Sequence, residues 1–111
     1  NREQCWSGAG NYSYSAPEQF QPGAIPGEES DVYAVGKILA AMLGERKGRC
    51  GRREKWLRNL TDMAACENRR ERIPDMKTFR RLLAATDASR KERKQILQYS
   101  DFYYIRKLYY P

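Results

Sequence analysis

Chemistry starts with side chains that hold or move charge, and this chain of 111 residues carries 21 Lys and Arg against 14 Asp and Glu, a net charge of +7. The charges are segregated. Glu18, Glu28, Glu29 and Asp31 make the early part acidic, whereas Arg46, Lys47, Arg49, Arg52, Arg53, Lys55 and Arg58 make the middle strongly basic. Arg90, Lys91, Arg93 and Lys94 form a second basic run. Such runs suit phosphate, nucleic acid or acidic partners, and are more often simply solvated surface. There is no histidine, so the commonest general base and the commonest metal ligand are missing. A His-based triad, a His-assisted cysteine protease and a zinc finger are thereby excluded within the chain. Cys5, Cys50 and Cys66 are odd in number and form no Cys-x-x-Cys pair. They argue against a disulfide framework and for a reducing, cytoplasmic setting.

The elements that must position these groups follow from hydrophobic spacing. With 41% hydrophobic residues the chain can build one modest domain with a core. Residues 1–29 hold four of the eight glycines and three of the five prolines and read as an ordered loop. A helix is expected to open at Ser30, an N-cap candidate, followed by Asp31 at the positive end of its dipole. The run from Val32 to Leu43 is apolar nearly all round, with Lys37 its only charge. Such a helix belongs in a core, and Gly44 is a natural stop. After a polar loop over residues 45–53, Trp56, Leu57, Leu60, Met63 and Ala64 share one face of a helix expected over 54–66. Another begins near Asp75, with Met76, Phe79, Leu82 and Leu83 on its apolar side. A last helical stretch is expected from Ser89 to about Tyr99. The aromatic end from Tyr99 to Tyr110 is open to helix or strand. No window approaches 18 apolar residues, so nothing is expected to span a membrane, and no membrane partner is expected. The chain begins Asn1-Arg2-Glu3-Gln4-Cys5 without Met or an apolar leader, which suggests a piece of something longer.

Three motifs join this order of elements. They are Gly10-Asn11-Tyr12-Ser13-Tyr14-Ser15-Ala16-Pro17-Glu18-Gln19, Ser30-Asp31-Val32-Tyr33-Ala34-Val35-Gly36-Lys37-Ile38-Leu39, and Cys66-Glu67-Asn68-Arg69-Arg70-Glu71-Arg72-Ile73-Pro74. Together they resemble the last part of a eukaryotic-type protein kinase domain, over roughly residues 8–85. The fold this implies is mainly α, the C-terminal half of a kinase-like large lobe. Residues 1–29 correspond to the end of the activation segment, closing in Ala-Pro-Glu. Residues 30–86 correspond to large-lobe helices, and residues 87–111 are a basic, aromatic extension.

The resemblance also implies roles. Glu18 pairs with Arg72, tying the activation segment to the base of the lobe. Asp31 matches the residue that anchors the catalytic loop, and Gly10, Asn11, Tyr12, Ser13 and Tyr14 match the loop that receives the substrate. Read from the residues alone, Glu18 and Arg72 could also be two surface charges that never meet, whereas Asp31 reads first as a helix cap and Tyr12 and Tyr14 first as packed aromatics. Three positions depart from the family. Asn11 stands where a Thr is usual, Ile73 stands where a Pro is usual, and the stretch from Gly44 to Lys55 leaves no room for a full intervening helix.

The parts that bind ATP and transfer phosphate have no counterpart in the chain. Gly8-Ala9-Gly10 resembles half a phosphate loop, but no strand precedes it and no helix follows. The expectation is therefore a non-catalytic scaffold or docking unit that needs no cofactor. ATP and Mg enter only with a full, active parent kinase, which is the first alternative. The partner expected is a protein, or the rest of the parent domain, covering the central helix. Residues 88–111 are expected to supply part of that cover. A small basic helical nucleic-acid-binding domain is the second alternative.

Overall fold

The structure, a computed structural model, describes residues 14–45, 48 and 51–109. A short 3-10 helix at Pro17–Phe20 leads into α1, Glu28–Leu43. Then come α2 at Arg52–Ala64 and α3 at Met76–Ala84, the latter followed by a 3-10 turn at Ala85–Asp87. α4 at Arg90–Ile96, a 3-10 turn at Tyr99–Asp101 and α5 at Phe102–Tyr109 complete the order. The protein is mainly helical, and no strand occurs among the described residues.

α1 begins two residues before the expected Ser30, with Gly27 as its N-cap. Glu28, Glu29 and Asp31 place three carboxylates in the first turn, where the helix dipole favours them. Ser30 is therefore not the cap. It lies in the first turn, where its hydroxyl accepts the Gly27 N–H at 3.4 Å and donates to the buried Glu18 carboxylate. Gly44 ends the helix with φ +69°, and its N–H bonds to Ala40 O at 3.1 Å.

α2 packs along α1, and both meet α3. The close approach of α1 and α2 depends on Gly36. A Cβ placed there would lie 2.7 Å from the Ala64 Cβ and 3.1 Å from the Ala65 nitrogen. Val32, Trp56, Leu60, Ala64, Ile73, Phe79, Leu82, Ala85 and Leu108 form the core. Trp56, Leu60 and Ala64 repeat every four residues along α2, and Phe79 and Leu82 are three apart on α3, so each helix buries one stripe. Asp75 caps α3 by accepting the Thr78 N–H at 2.8 Å, and Ser89 caps α4 through Glu92 N–H at 3.2 Å.

Three further expectations change. The central helix does not bury all its faces. Val32, Tyr33 and Gly36 are inside, but Ile38 is 46% and Met42 78% exposed, because the described elements cover α1 on one side only. Leu83, placed on the apolar side of α3, is 37% exposed. Residues 97–109 chiefly cover α2, and Arg81 ties them to α3, so they do not close the open face of α1. Their aromatic stretch is helical: Leu108 enters the core, Tyr104 and Ile105 pack against it, and Asn59 Nδ2 donates to Leu108 O at 2.6 Å.

Candidate functional site

Arg72 follows the turn after α2 and precedes α3, and its side chain is fully buried. All five of its N–H donors are engaged. Nη1 and Nη2 donate to Glu18 Oε2 and Oε1 at 2.7 and 3.1 Å, the parallel fork that only a guanidinium makes. Nη1 also donates to Glu29 O at 2.9 Å, Nη2 to Glu67 O at 3.3 Å, and Nε to Cys66 O at 2.8 Å. One cation thus gathers the loop before α1, the first turn of α1 and the end of α2.

Glu18 is brought to it by the 3-10 helix, which Ala16 and Gln19 stabilise: the Ala16 N–H donates to Gln19 Oε1 at 3.0 Å. Ser30 Oγ donates a further bond to Glu18 Oε2 at 2.7 Å. The hydrogen bonds from Arg72, helped by Ser30, outweigh the opposing effect of burial and hold the Glu18 carboxyl at about 2, below its ordinary 4.5. The Tyr33 ring lies 4.9 Å from the guanidinium carbon, a cation–π contact in a buried setting. Tyr33 Oη donates to Glu67 Oε2 at 3.1 Å, and burial, then this carboxylate, raise its phenol above 10. Arg69 supports the same corner from outside, donating to Glu29 Oε1 at 2.8 Å and Ile25 O at 3.0 Å.

The arrangement is a fastening. A carboxylate with three donors and a pKa of about 2 has too little basicity to take a proton near neutrality. A guanidinium with all five donors in use has none left for a ligand. Of the other residues singled out from sequence, Asp31 is exposed on α1 and is not among the partners of Glu18 or Arg72. Tyr14 is half-buried. Gly10, Asn11, Tyr12 and Ser13 lie outside the described residues.

Sequence reasoning missed a second fastening of the same kind. Asp101 is fully buried and receives Arg81 Nε at 2.7 Å, Arg81 Nη2 at 2.9 Å and the Gln98 N–H at 2.9 Å. Burial opposes its ionisation, but these donors prevail and its carboxyl lies below the ordinary 3.8. No local motif marks this pair, which is separated by 20 positions.

Among the described residues no three His, Cys, Asp or Glu side chains gather to hold a metal, and no helix is long and apolar enough to cross a membrane. No protein-family model, curated protein or solved structure matches the chain.

Proposed function

We propose that this chain is a non-catalytic piece of a kinase-like large lobe, serving as a scaffold or docking unit alongside a protein partner or the rest of its parent domain. One observation carries the reading: the glutamate of Ala16-Pro17-Glu18 and Arg72 meet in a buried two-bond ion pair, as the resemblance to the kinase family requires. Two charges that met water separately would not produce it. The open face of α1, with Ile38 and Met42 exposed, supports the second half of the proposal, since an apolar surface of that kind is a contact surface in search of cover.

The test pairs two measurements. The first is the intact mass and N-terminal sequence of the native protein. The second is the thermal shift of the 111-residue chain with Mg·ATP. The expected result is kinase-like sequence ahead of Asn1 and no shift for the chain alone. A native protein without such sequence removes the kinase-like reading, and a saturable thermal shift of the chain alone with Mg·ATP removes the non-catalytic one.

A further inference from the structure

α4 and α5 fold back over the N-terminal half of α2 and leave a cleft of about 880 Å³ between them. Leu97, Phe102 and Ile105 make its apolar lining. Phe102 is 58% exposed, although it is a large hydrophobic side chain. Arg52, Arg90 and Lys94 stand on the rim, all exposed, and Arg93 lies deeper. None of these four cations pairs with a carboxylate among the described residues, whereas Arg53 next to them is paired with Asp87.

We infer that this cleft binds an acidic peptide segment carrying an apolar side chain. The unpaired cations offer charge complementarity to carboxylates, and the Leu97–Phe102–Ile105 floor takes an aliphatic or aromatic anchor. Single-stranded nucleic acid fits less well, because it needs several open ring faces for successive bases and the cleft offers chiefly Phe102, which already meets Tyr99 edge-on at 6.1 Å. The Trp56 ring is already occupied: the Arg93 guanidinium lies 4.6 Å from its centroid and the Tyr109 ring meets it edge-on at 5.5 Å. Arg93 is itself held by Ala85 O at 3.0 Å and Tyr109 Oη at 2.9 Å, so the inner wall is preformed. This inference goes beyond the kinase-like reading. The cleft is built largely by residues 88–109, outside the part that carries the resemblance, so either can fail alone.

The test is fluorescence anisotropy with the 111-residue chain and a labelled peptide, Glu-Glu-Leu-Glu-Glu-Phe. Three comparisons accompany it: the same peptide with Ala replacing Leu and Phe, a labelled oligouridylate of equal length, and the variant Arg52→Glu/Arg90→Glu. Both substituted positions open a helix, where Glu suits the dipole, so the variant should fold, and circular dichroism checks it. Saturable binding, weakened at least tenfold in the variant and at least tenfold by the Ala peptide, is the expected result. Absence of binding, or binding that the variant leaves unchanged, overturns the proposal. Equal binding of the Ala peptide overturns it by removing the apolar anchor. Tighter binding of the oligouridylate overturns it in favour of nucleic acid.

Discussion

Arg81 closes on Asp101 through two parallel hydrogen bonds, at 2.7 and 2.9 Å, and so pins the C-terminal segment to α3. Asp101 is completely buried there, and its remaining bond comes from the Gln98 N–H. Removing Arg81 would leave a carboxylate inside the protein without its counter-charge. Arg81→Ala is therefore expected to cost about 3 kcal/mol, the lower end for a buried pair because Arg81 itself is partly exposed. Arg81→Lys should recover only part, since one ammonium cannot supply the fork. Urea denaturation gives the cost, and hydrogen exchange over residues 97–109 should accelerate selectively. Unchanged exchange there would disprove the pinning role.

Glu18 and Arg72 should behave as one unit. Each single replacement by Ala is expected to cost about 3–5 kcal/mol. Arg72→Ala should be the worse, because it also abandons the carbonyls of Cys66, Glu67 and Glu29. The double variant should cost less than the sum of the singles, by about 0.5–3 kcal/mol. Additive losses in a double-mutant cycle would mean that the pair contributes nothing jointly.

Acid should loosen the same corner. The Glu18 carboxyl titrates at about 2 in the folded protein and near 4.5 when free. A lowered folded pKa stabilises at pH above 4.5, and that stability is lost as pH falls from there through 2. The full effect is about 3 kcal/mol. Asp101 and Asp75 shift in the same direction and add to the acid sensitivity. Glu18→Gln should flatten, without abolishing, the decline of stability measured between pH 5 and 2. A variant with the wild-type slope would remove Glu18 as a source of it.

Gly36→Ala should destabilise, although alanine is ordinarily the better helix former by about 1 kcal/mol. The added methyl would meet the Ala64 side chain and the backbone of Ala64 and Ala65, and backbone cannot step aside cheaply. Overpacking of this kind costs about 1–3 kcal/mol. Thermal unfolding should show a lower Tm for Gly36→Ala and a lower one still for Gly36→Val. A raised Tm for Gly36→Ala would show that α1 and α2 part without loss.

The helices were legible because their burial follows local spacing: Trp56, Leu60 and Ala64 announce the inner face of α2, and Phe79 and Leu82 that of α3. The start of α1 was less so. Ser30 looks like a cap, but its hydroxyl serves Glu18, a residue twelve positions away that local reading cannot weigh. Spacing alone also made α1 a fully buried helix, since periodicity reports what a helix can bury and not what the chain supplies to cover it. Glu18 and Arg72 were singled out through the family resemblance alone. Arg81 and Asp101 had no such guide, being one charge among several on a basic helix and one acid in an aromatic stretch. The cleft could not be foreseen either, because it exists only once α4 and α5 have folded back over α2.

The two arginine forks are rooted close together in the chain, at Arg72 and Arg81 on either side of the start of α3, and they reach out to Glu18 and Asp101. A tension applied to Glu18 and to the C-terminal segment is therefore resisted on one side by the Arg72 fork, which also holds the first turn of α1, and on the other by the Arg81 fork together with the Asn59–Leu108 bond that ties α5 to α2. In a pulling experiment the first extension should be the release of one terminal segment with α1 and α2 still paired, and at pH 3 the force required should be lower, since protonation competes for the oxygens that each fork grips.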